Sequence, residues 1–309
     1  MFETGTSTGG RLSRRRFVGS AAACSVAAAA APARGFGVAK AGETSDGEAL
    51  QERIGSRRIG NGPVKAIVMN DWIGDTSTWD ACQCYLDTGA AEWIFADLRG
   101  YGLSRKLPGP FDAVQAGKDI IELADSMDIS RFVIIGHSMS SVVAMHLAQI
   151  DPQRIIGAIL VTPPPLTGGA PAEIIEGAKA IARSDDEGRK AALRQMWGDR
   201  LSDAWIDFKI ARWRKAAAPE AVADYVDMFA RTGLPSGPVP VAPPVIAITG
   251  EVDPNPMMRS PAVREALAPL SPAAKIISIT DSGHYPMQET PPLFATTVSR
   301  ALSDLARRD

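Results

Sequence analysis

From about residue 64 onward, short runs of apolar and β-branched residues alternate with stretches whose apolar positions recur every three to four residues. That alternation predicts a parallel sheet joined by crossover helices. Strands are expected at 64–69, 93–96, 132–135, 155–161, 245–249 and 275–279, several of them continuous apolar runs, as strands covered on both faces must be. Helices are expected at 112–127, 140–150 and 292–305, the first with Val114, Ile121 and Leu123 along one side. Right-handed crossovers place such helices on both faces of the sheet. The fold class is therefore α/β, with a mostly parallel central sheet flanked by helices.

The alternation fails between residues 166 and 240. No strand pattern is visible there, whereas helical segments are expected at 172–183, 187–196, 203–215 and 219–230. The borders are Pro163-Pro164-Pro165 with Gly168-Gly169 on one side and the proline-rich stretch 235–244 on the other. Strands resume afterwards, so one core interrupted once is simpler than two separate domains. Residues 34–165 and 241–309 form that core, and 166–240 an inserted helical cap.

The first 33 residues follow neither pattern. Ser13-Arg14-Arg15-Arg16-Phe17-Val18 precedes an alanine-rich run from Ala21 to Ala31 and the small-residue site Ala31-Pro32-Ala33. The segment resembles a twin-arginine export signal, whose three parts it has, with a disordered basic tail as the alternative. A second cleavage site reads after Ala39-Lys40-Ala41. The apolar run is too short to cross a bilayer, so no stable membrane anchor is expected. The expected partner is the twin-arginine export machinery, and the expected location is the periplasm or the exterior. Removing residues 1–33 takes away Glu3 with Arg11, Arg14, Arg15 and Arg16, which leaves a mildly acidic protein. A net charge of −2 without a basic stripe gives no reason to expect nucleic acid, and a small-molecule substrate is the default. Cys24 lacks the leucine that a lipid-anchored cysteine has three residues before it. Cys82 and Cys84 are too close for a mutual disulfide and read as free thiols. No metal or nucleotide motif occurs, so no cofactor is expected.

Candidate chemistry centres on the run from Phe132 to Ser140, a buried strand leading through a small-residue turn into a helix. A serine at the apex of a strained strand-to-helix turn needs small residues two positions to either side. Gly136 meets that need, and Ser140, where a second glycine is common, is small enough. The competing reading makes Ser138 an ordinary helix N-cap. A serine hydroxyl needs a base to attack at neutral pH, and the chain has three histidines. His137 adjoins the serine and points away from its hydroxyl, and His146 lies about 12 Å down the following helix. That leaves His284, in Asp281-Ser282-Gly283-His284-Tyr285-Pro286, just beyond the last predicted strand. His137 then lines the floor of the site, and His146 is satisfied within the fold. The base needs a carboxylate to orient it. Asp253 follows strand 245–249 and emerges at the same sheet edge. Glu251 is its local rival and reads as a solvated turn residue.

With these segments in order, the chain from about residue 60 to the C-terminus, apart from the cap, resembles the α/β-hydrolase superfamily. Ser138, Asp253 and His284 follow the chain order of that family's triad. Asp97-Leu98-Arg99-Gly100-Tyr101-Gly102-Leu103-Ser104 is similar to its D-x-R-G-x-G-x-S loop, and Gly283-His284 with Glu289 and Pro291 matches the segment around its histidine. Where the family commonly has His-Gly after its third strand, this chain has Asn70-Asp71-Trp72-Ile73-Gly74. By position, the backbone N–H groups of Trp72 and Met139 are the oxyanion donors. Asp71 is read as an Asx-type stabiliser of this turn, with a place beside the substrate, discouraging anionic ones, as the alternative. Trp197, Trp205 and Trp213 are spaced by eight as a helical stripe. They either present an aromatic surface to the substrate or anchor cap to core, and the second is preferred.

The resemblance implies hydrolysis of a carboxylic ester or lactone through an acyl-enzyme on Ser138, closest in pattern to enol-lactonase-like and esterase members. An amidase, a carbon–carbon bond hydrolase or a cofactor-free perhydrolase on the same triad is the alternative. A catalytically silent ligand-binding member of the fold is a second. Haloalkane dehalogenases and epoxide hydrolases are set aside because they resemble this fold but carry an aspartate where Ser138 stands.

Overall fold

The computed structural model describes residues 53–197, 200–235 and 240–308. The expected export signal, the second cleavage site and the expected start of the core at residue 34 lie outside the described residues. Among the described residues no helix is long and apolar enough to cross a membrane.

Seven strands form one sheet: β1 (Ser56–Ile59), β2 (Val64–Met69), β3 (Ala91–Ala96), β4 (Phe132–His137), β5 (Ile155–Val161), β6 (Val245–Gly250) and β7 (Lys275–Ile279). Their spatial order is β1-β3-β2-β4-β5-β6-β7, with β1 antiparallel to β3 and every other pair parallel. β3, β4 and β6 are buried at every residue, which is why they read as largely apolar runs, β3 interrupted by Glu92. The edge strand β1 escapes prediction because it is four residues long and half arginine. β3 begins two residues before its expected start, since the buried Glu92 within it is neutralised by Arg58 (2.6 Å) and Lys65 (2.7 Å).

The helices of the core are α1 (Asp80–Gln83), α2 (Ala113–Asp125) and α3 (Ser140–Ile150), followed after the insertion by α8 (Ser260–Leu267), α9 (Pro286–Glu289) and α10 (Pro291–Ala306). Asp112 caps α2 by accepting a hydrogen bond from the Gln115 N–H at 2.8 Å. The buried face of α2 is Ala113, Ala116, Ile120, Leu123 and Ala124 rather than the expected Val114, Ile121 and Leu123, and Val114 is exposed. The smaller alanines keep the helical period that the larger residues break. α3 is buried along nearly its whole length, as a helix between sheet and neighbouring helices must be.

Between β5 and β6 lie α4 (Ala172–Arg183), α5 (Asp186–Trp197), α6 (Asp203–Ala216) and α7 (Pro219–Val226), the last running into a π-helical turn over Asp227–Thr232. The expected helix 219–230 thus changes its winding part-way, a change that a hydrophobic pattern does not register. This insertion docks on the loop 97–104. The Ala218 N–H donates to the Gly100 carbonyl at 2.8 Å, Tyr101 forms a bridge with Ala217, and the Tyr225 hydroxyl reaches the Arg99 carbonyl at 3.3 Å. Gly100 has φ 83°, and a Cβ there would lie 2.3 Å from that of Ala221, so only glycine admits α7 this closely.

The sheet grows from β2 toward β3 in one direction and from β4 toward β7 in the other. The switch therefore falls between β2 and β4, and open parallel sheets bind their ligands outside the carboxyl ends of the strands at such a point. The loops that leave those two strands carry Trp72 and Ser138.

Candidate active site

Ser138 sits at the carboxyl end of β4, half-buried, with φ 50°, a left-handed conformation costly for any side chain but glycine. The turn is held from both sides. A Cβ on Gly136 would lie 2.5 Å from the Ser140 carbonyl oxygen, so the tight return of the chain requires glycine. Ser140 is more than a tolerated small residue. Its hydroxyl accepts from the His137 N–H at 2.9 Å and donates to the His137 carbonyl at 3.1 Å, clasping the residue before the serine.

His284 lies beyond β7 and is buried except for a small exposed part. Its Nδ1 is 2.9 Å from Asp253 Oδ2, in the loop after β6. An ionised carboxylate only accepts, so Nδ1 carries the hydrogen and Nε2 is left as the basic nitrogen. Asp253 is 1% exposed, and its other oxygen accepts from the Asn255 N–H at 2.9 Å. Glu251 is exposed and accepts instead from the Asp281 N–H at 3.2 Å. The loop around His284 is fixed by groups that sequence inspection left without a role. The Glu289 carboxylate accepts from the N–H groups of Gly283 (2.8 Å) and Tyr285 (2.9 Å), on either side of the histidine. The His284 carbonyl accepts from Thr162 Oγ1 at 3.1 Å and from His137 Nε2 at 2.9 Å. Thr162 itself has φ 42°, an uncommon conformation for a β-branched residue.

The structure thus brings His284 and Asp253 together and sets His284 against the residue that precedes Ser138. It does not join Ser138 Oγ to His284 by a hydrogen bond, a contact that commonly tightens only in the substrate complex. Among the described residues, neither the Trp72 nor the Met139 N–H has an acceptor. Trp72 is pinned by its other groups: its carbonyl accepts from the Tyr101 hydroxyl at 2.7 Å, and its indole donates to the Val222 carbonyl at 2.7 Å. Among the described residues no group of three or more His, Cys, Asp or Glu is placed to hold a metal ion.

Three expectations are corrected. The turn after β2 is closed by Asn70, whose side chain donates to the carbonyls of Asp71 (2.8 Å) and Gly74 (3.1 Å) and accepts from the Leu98 N–H (2.7 Å). Asp71 makes no Asx turn; its side chain, 1% exposed, accepts from Thr78 and Tyr285 and pairs with Lys209. The three tryptophans form no single stripe, because Trp197 ends α5 while Trp205 and Trp213 belong to α6. Trp213 packs on Trp72 at 6.1 Å, and Trp197 and Trp205 pack on Tyr285 at 5.2 and 5.6 Å, so all three join the insertion to site loops. His146 is buried with neither ring nitrogen hydrogen-bonded, and burial pushes its pKa down.

His137 is fully buried. Burial drives its pKa from the ordinary 6.5 to about 3, outweighing the opposing pull of the Asp71 carboxylate. Its neutral ring donates from Nε2 to the His284 carbonyl. The unfolded chain protonates this residue near pH 6.5 and the folded protein only near pH 3, so between those values the unfolded state binds more protons. Stability is expected to fall as pH drops through that window, by up to about 1.4 kcal/mol per pH unit from this residue. Urea unfolding at a series of pH values checks this, and His137→Gln, which keeps a donor without a titrating ring, should flatten the dependence.

The sequence profile of the alpha/beta hydrolase family matches residues 72–297. Among solved structures, an esterase from Thermogutta terrifontis is 21% identical, with a TM-score of 0.69 over 82% of this chain and 93% of the other. The enol-lactonase of Burkholderia xenovorans is also 21% identical, with a TM-score of 0.67 over 81% of this chain and 96% of the other. An uncharacterised protein of Mycobacterium tuberculosis is 35% identical over 107 residues, 34% of this chain and 30% of that one. An epoxide hydrolase of Caballeronia sordidicola is 28% identical over 172 residues, 52% of this chain and 49% of that one. The chain thus spans half or less of the length of these curated relatives. The family profile covers the greater part of the chain, and it runs across the elbow serine, the Asp253 loop and the His284 loop: the chain belongs to the alpha/beta hydrolase family.

Proposed function

We propose that this protein is a serine hydrolase acting on a neutral or modestly polar carboxylic ester or lactone. The observation that carries the reading is the buried His284–Asp253 pair at 2.9 Å beside a serine held in a strained strand-to-helix turn. In the proposed cycle Ser138 Oγ attacks the carbonyl carbon while His284 Nε2 takes its proton, and Asp253 holds the ring and offsets its positive charge. The oxygen that becomes negative is met by the N–H groups of Trp72 and Met139, both without an acceptor among the described residues. Collapse of the tetrahedral species passes the proton from His284 to the departing alkoxide, which leaves as alcohol or, for a lactone, stays attached as the opened end. Water, deprotonated by His284, then cleaves the acyl-enzyme and restores the serine.

The names of the structural neighbours, an esterase and an enol-lactonase, support the ester or lactone class. The epoxide hydrolase relative does not redirect the reading, because that chemistry resembles this fold with an aspartate at the elbow, where this chain has Ser138. Export of the protein through residues 1–33 belongs to the same proposal.

The test combines a fluorophosphonate probe with a panel of p-nitrophenyl esters and lactones. The expected result is labelling of Ser138, read by peptide mass, and turnover of at least one panel member. A purified, folded protein that is neither labelled nor active overturns the reading and leaves a ligand-binding member of the fold.

A further inference from the structure

Beside the proposed catalytic groups lies a charged cluster that the cycle does not use. Lys209, on α6, is 2% exposed and shares the buried face of that helix with Ile206, Ile210 and Trp213. Its Nζ lies 3.7 Å from Asp71 Oδ2 and 4.2 Å from the centre of the Tyr285 ring. Asp71, 1% exposed, accepts from Thr78 Oγ1 at 3.0 Å and from the Tyr285 hydroxyl. Burial raises the Asp71 carboxyl, but Lys209 and the Tyr285 and Thr78 hydroxyl donors outweigh it and bring its pKa down, while burial lowers the pKa of Lys209 against the pull of Asp71.

A buried ion pair is a poor device for stability, since desolvation of both charges consumes what their attraction returns, and apolar side chains of like volume commonly serve as well. What this cluster has is position. Asp71 directly precedes Trp72, Tyr285 directly follows His284, and Lys209 comes from the insertion, so three separate segments meet at one ammonium.

We propose that Lys209 is a positioning residue that ties the inserted helix α6 at once to the loop carrying the Trp72 N–H and to the loop carrying His284. The inference rests on the serine-hydrolase reading above. Without the tether the Trp72 N–H and the imidazole shift relative to Ser138, and a displacement of about 1 Å in such a site costs on the order of a hundredfold in rate. The chain thereby makes the chemical step depend on a docked insertion, while Lys209 itself touches neither substrate nor reacting atoms.

The experiment compares the full-length protein with Lys209→Met, Asp71→Asn and the double variant. The double variant replaces both charges with neutral groups of similar size and leaves no lone buried charge. The readouts are thermal melting, the fluorophosphonate labelling rate at Ser138, and kcat and KM on the best p-nitrophenyl ester of the panel. The expected result is a double variant that melts cooperatively near the wild type, is labelled about 10- to 100-fold more slowly, and loses kcat by a similar factor with KM nearly unchanged. A purely structural pair would lower the melting temperature of the single variants and leave the folded double variant at the wild-type labelling rate, which would overturn the proposal. Should the double variant not fold, Lys209→Gln removes the ammonium and keeps a polar side chain facing Asp71 and the Tyr285 ring. Slower labelling there supports the tether, and a wild-type rate overturns it. Absence of labelling in the wild type overturns the serine-hydrolase reading and this proposal with it, whereas wild-type labelling with unaffected variants overturns this proposal alone.

Discussion

Replacing Ser138 by Ala is expected to lower kcat by about a millionfold on any ester the wild type hydrolyses, and His284→Ala by a comparable factor. The double variant should be hardly slower than either single one, because nucleophile and base act as a unit and removing one idles the other. Activity above the uncatalysed rate, by roughly a thousandfold or more, should survive in all three through backbone donors and substrate binding. The Ser138 side chain does not support the fold, since among the described residues its Oγ makes no hydrogen bond, whereas His284 pairs with the buried Asp253 and its loss strands that carboxylate. A melting temperature close to the wild type should therefore accompany the loss in Ser138→Ala, and a lower one in His284→Ala. Steady-state kinetics with circular dichroism melts distinguishes this outcome from unfolding, and a Ser138→Ala protein that keeps wild-type kcat would remove the serine from the mechanism.

Asp253→Asn should cost about ten thousandfold in kcat while leaving the site geometry intact. An amide at this position can turn its NH2 toward His284 Nδ1, now 2.9 Å from Asp253 Oδ2. The imidazole then carries its hydrogen on Nε2, where it cannot accept the serine proton. Glu251→Gln is the matched control. The residue is exposed and among the described residues accepts from the Asp281 N–H alone, so its neutral isostere should leave kcat within about twofold, as surface changes away from a site usually do. Kinetics of the two variants under identical conditions decides between the carboxylates, and a larger loss for Glu251→Gln would reverse the assignment.

What could be read along the chain and what could not divides by range of interaction. Strands such as Phe132–His137 and Ile155–Val161 announce themselves because burial on both faces demands unbroken apolar runs. The serine turn is equally local, since Gly136, Ser138 and Ser140 lie within five positions. Lys209 is the opposite case. Its helical spacing from Ile206 and Trp213 puts it on the buried face, but its partner Asp71 is far away in sequence and nothing local names it. His146 was expected to find hydrogen-bond partners because buried polar groups ordinarily do, and no local pattern warns that its ring nitrogens stay unpaired. Glu289 could be matched to a motif, but that its two oxygens clasp the amides beside His284 emerges only when the loop has closed on itself. The hydroxyl of Ser140 belongs with these: its small size was legible, its clasp on His137 was not.

The margins of the sheet carry a consequence of a different kind. β1 ends one side with Arg57 and Arg58, and β7 ends the other beginning with the exposed Lys275, paired to Asp304 at 3.0 Å. An open sheet offers unpaired backbone groups at both borders, a template on which another chain can lay a strand. Here an arriving strand would meet charged side chains at either border, each already paired with a carboxylate of the same molecule. Charged side chains at both borders are a usual means by which open sheets discourage strand-by-strand growth.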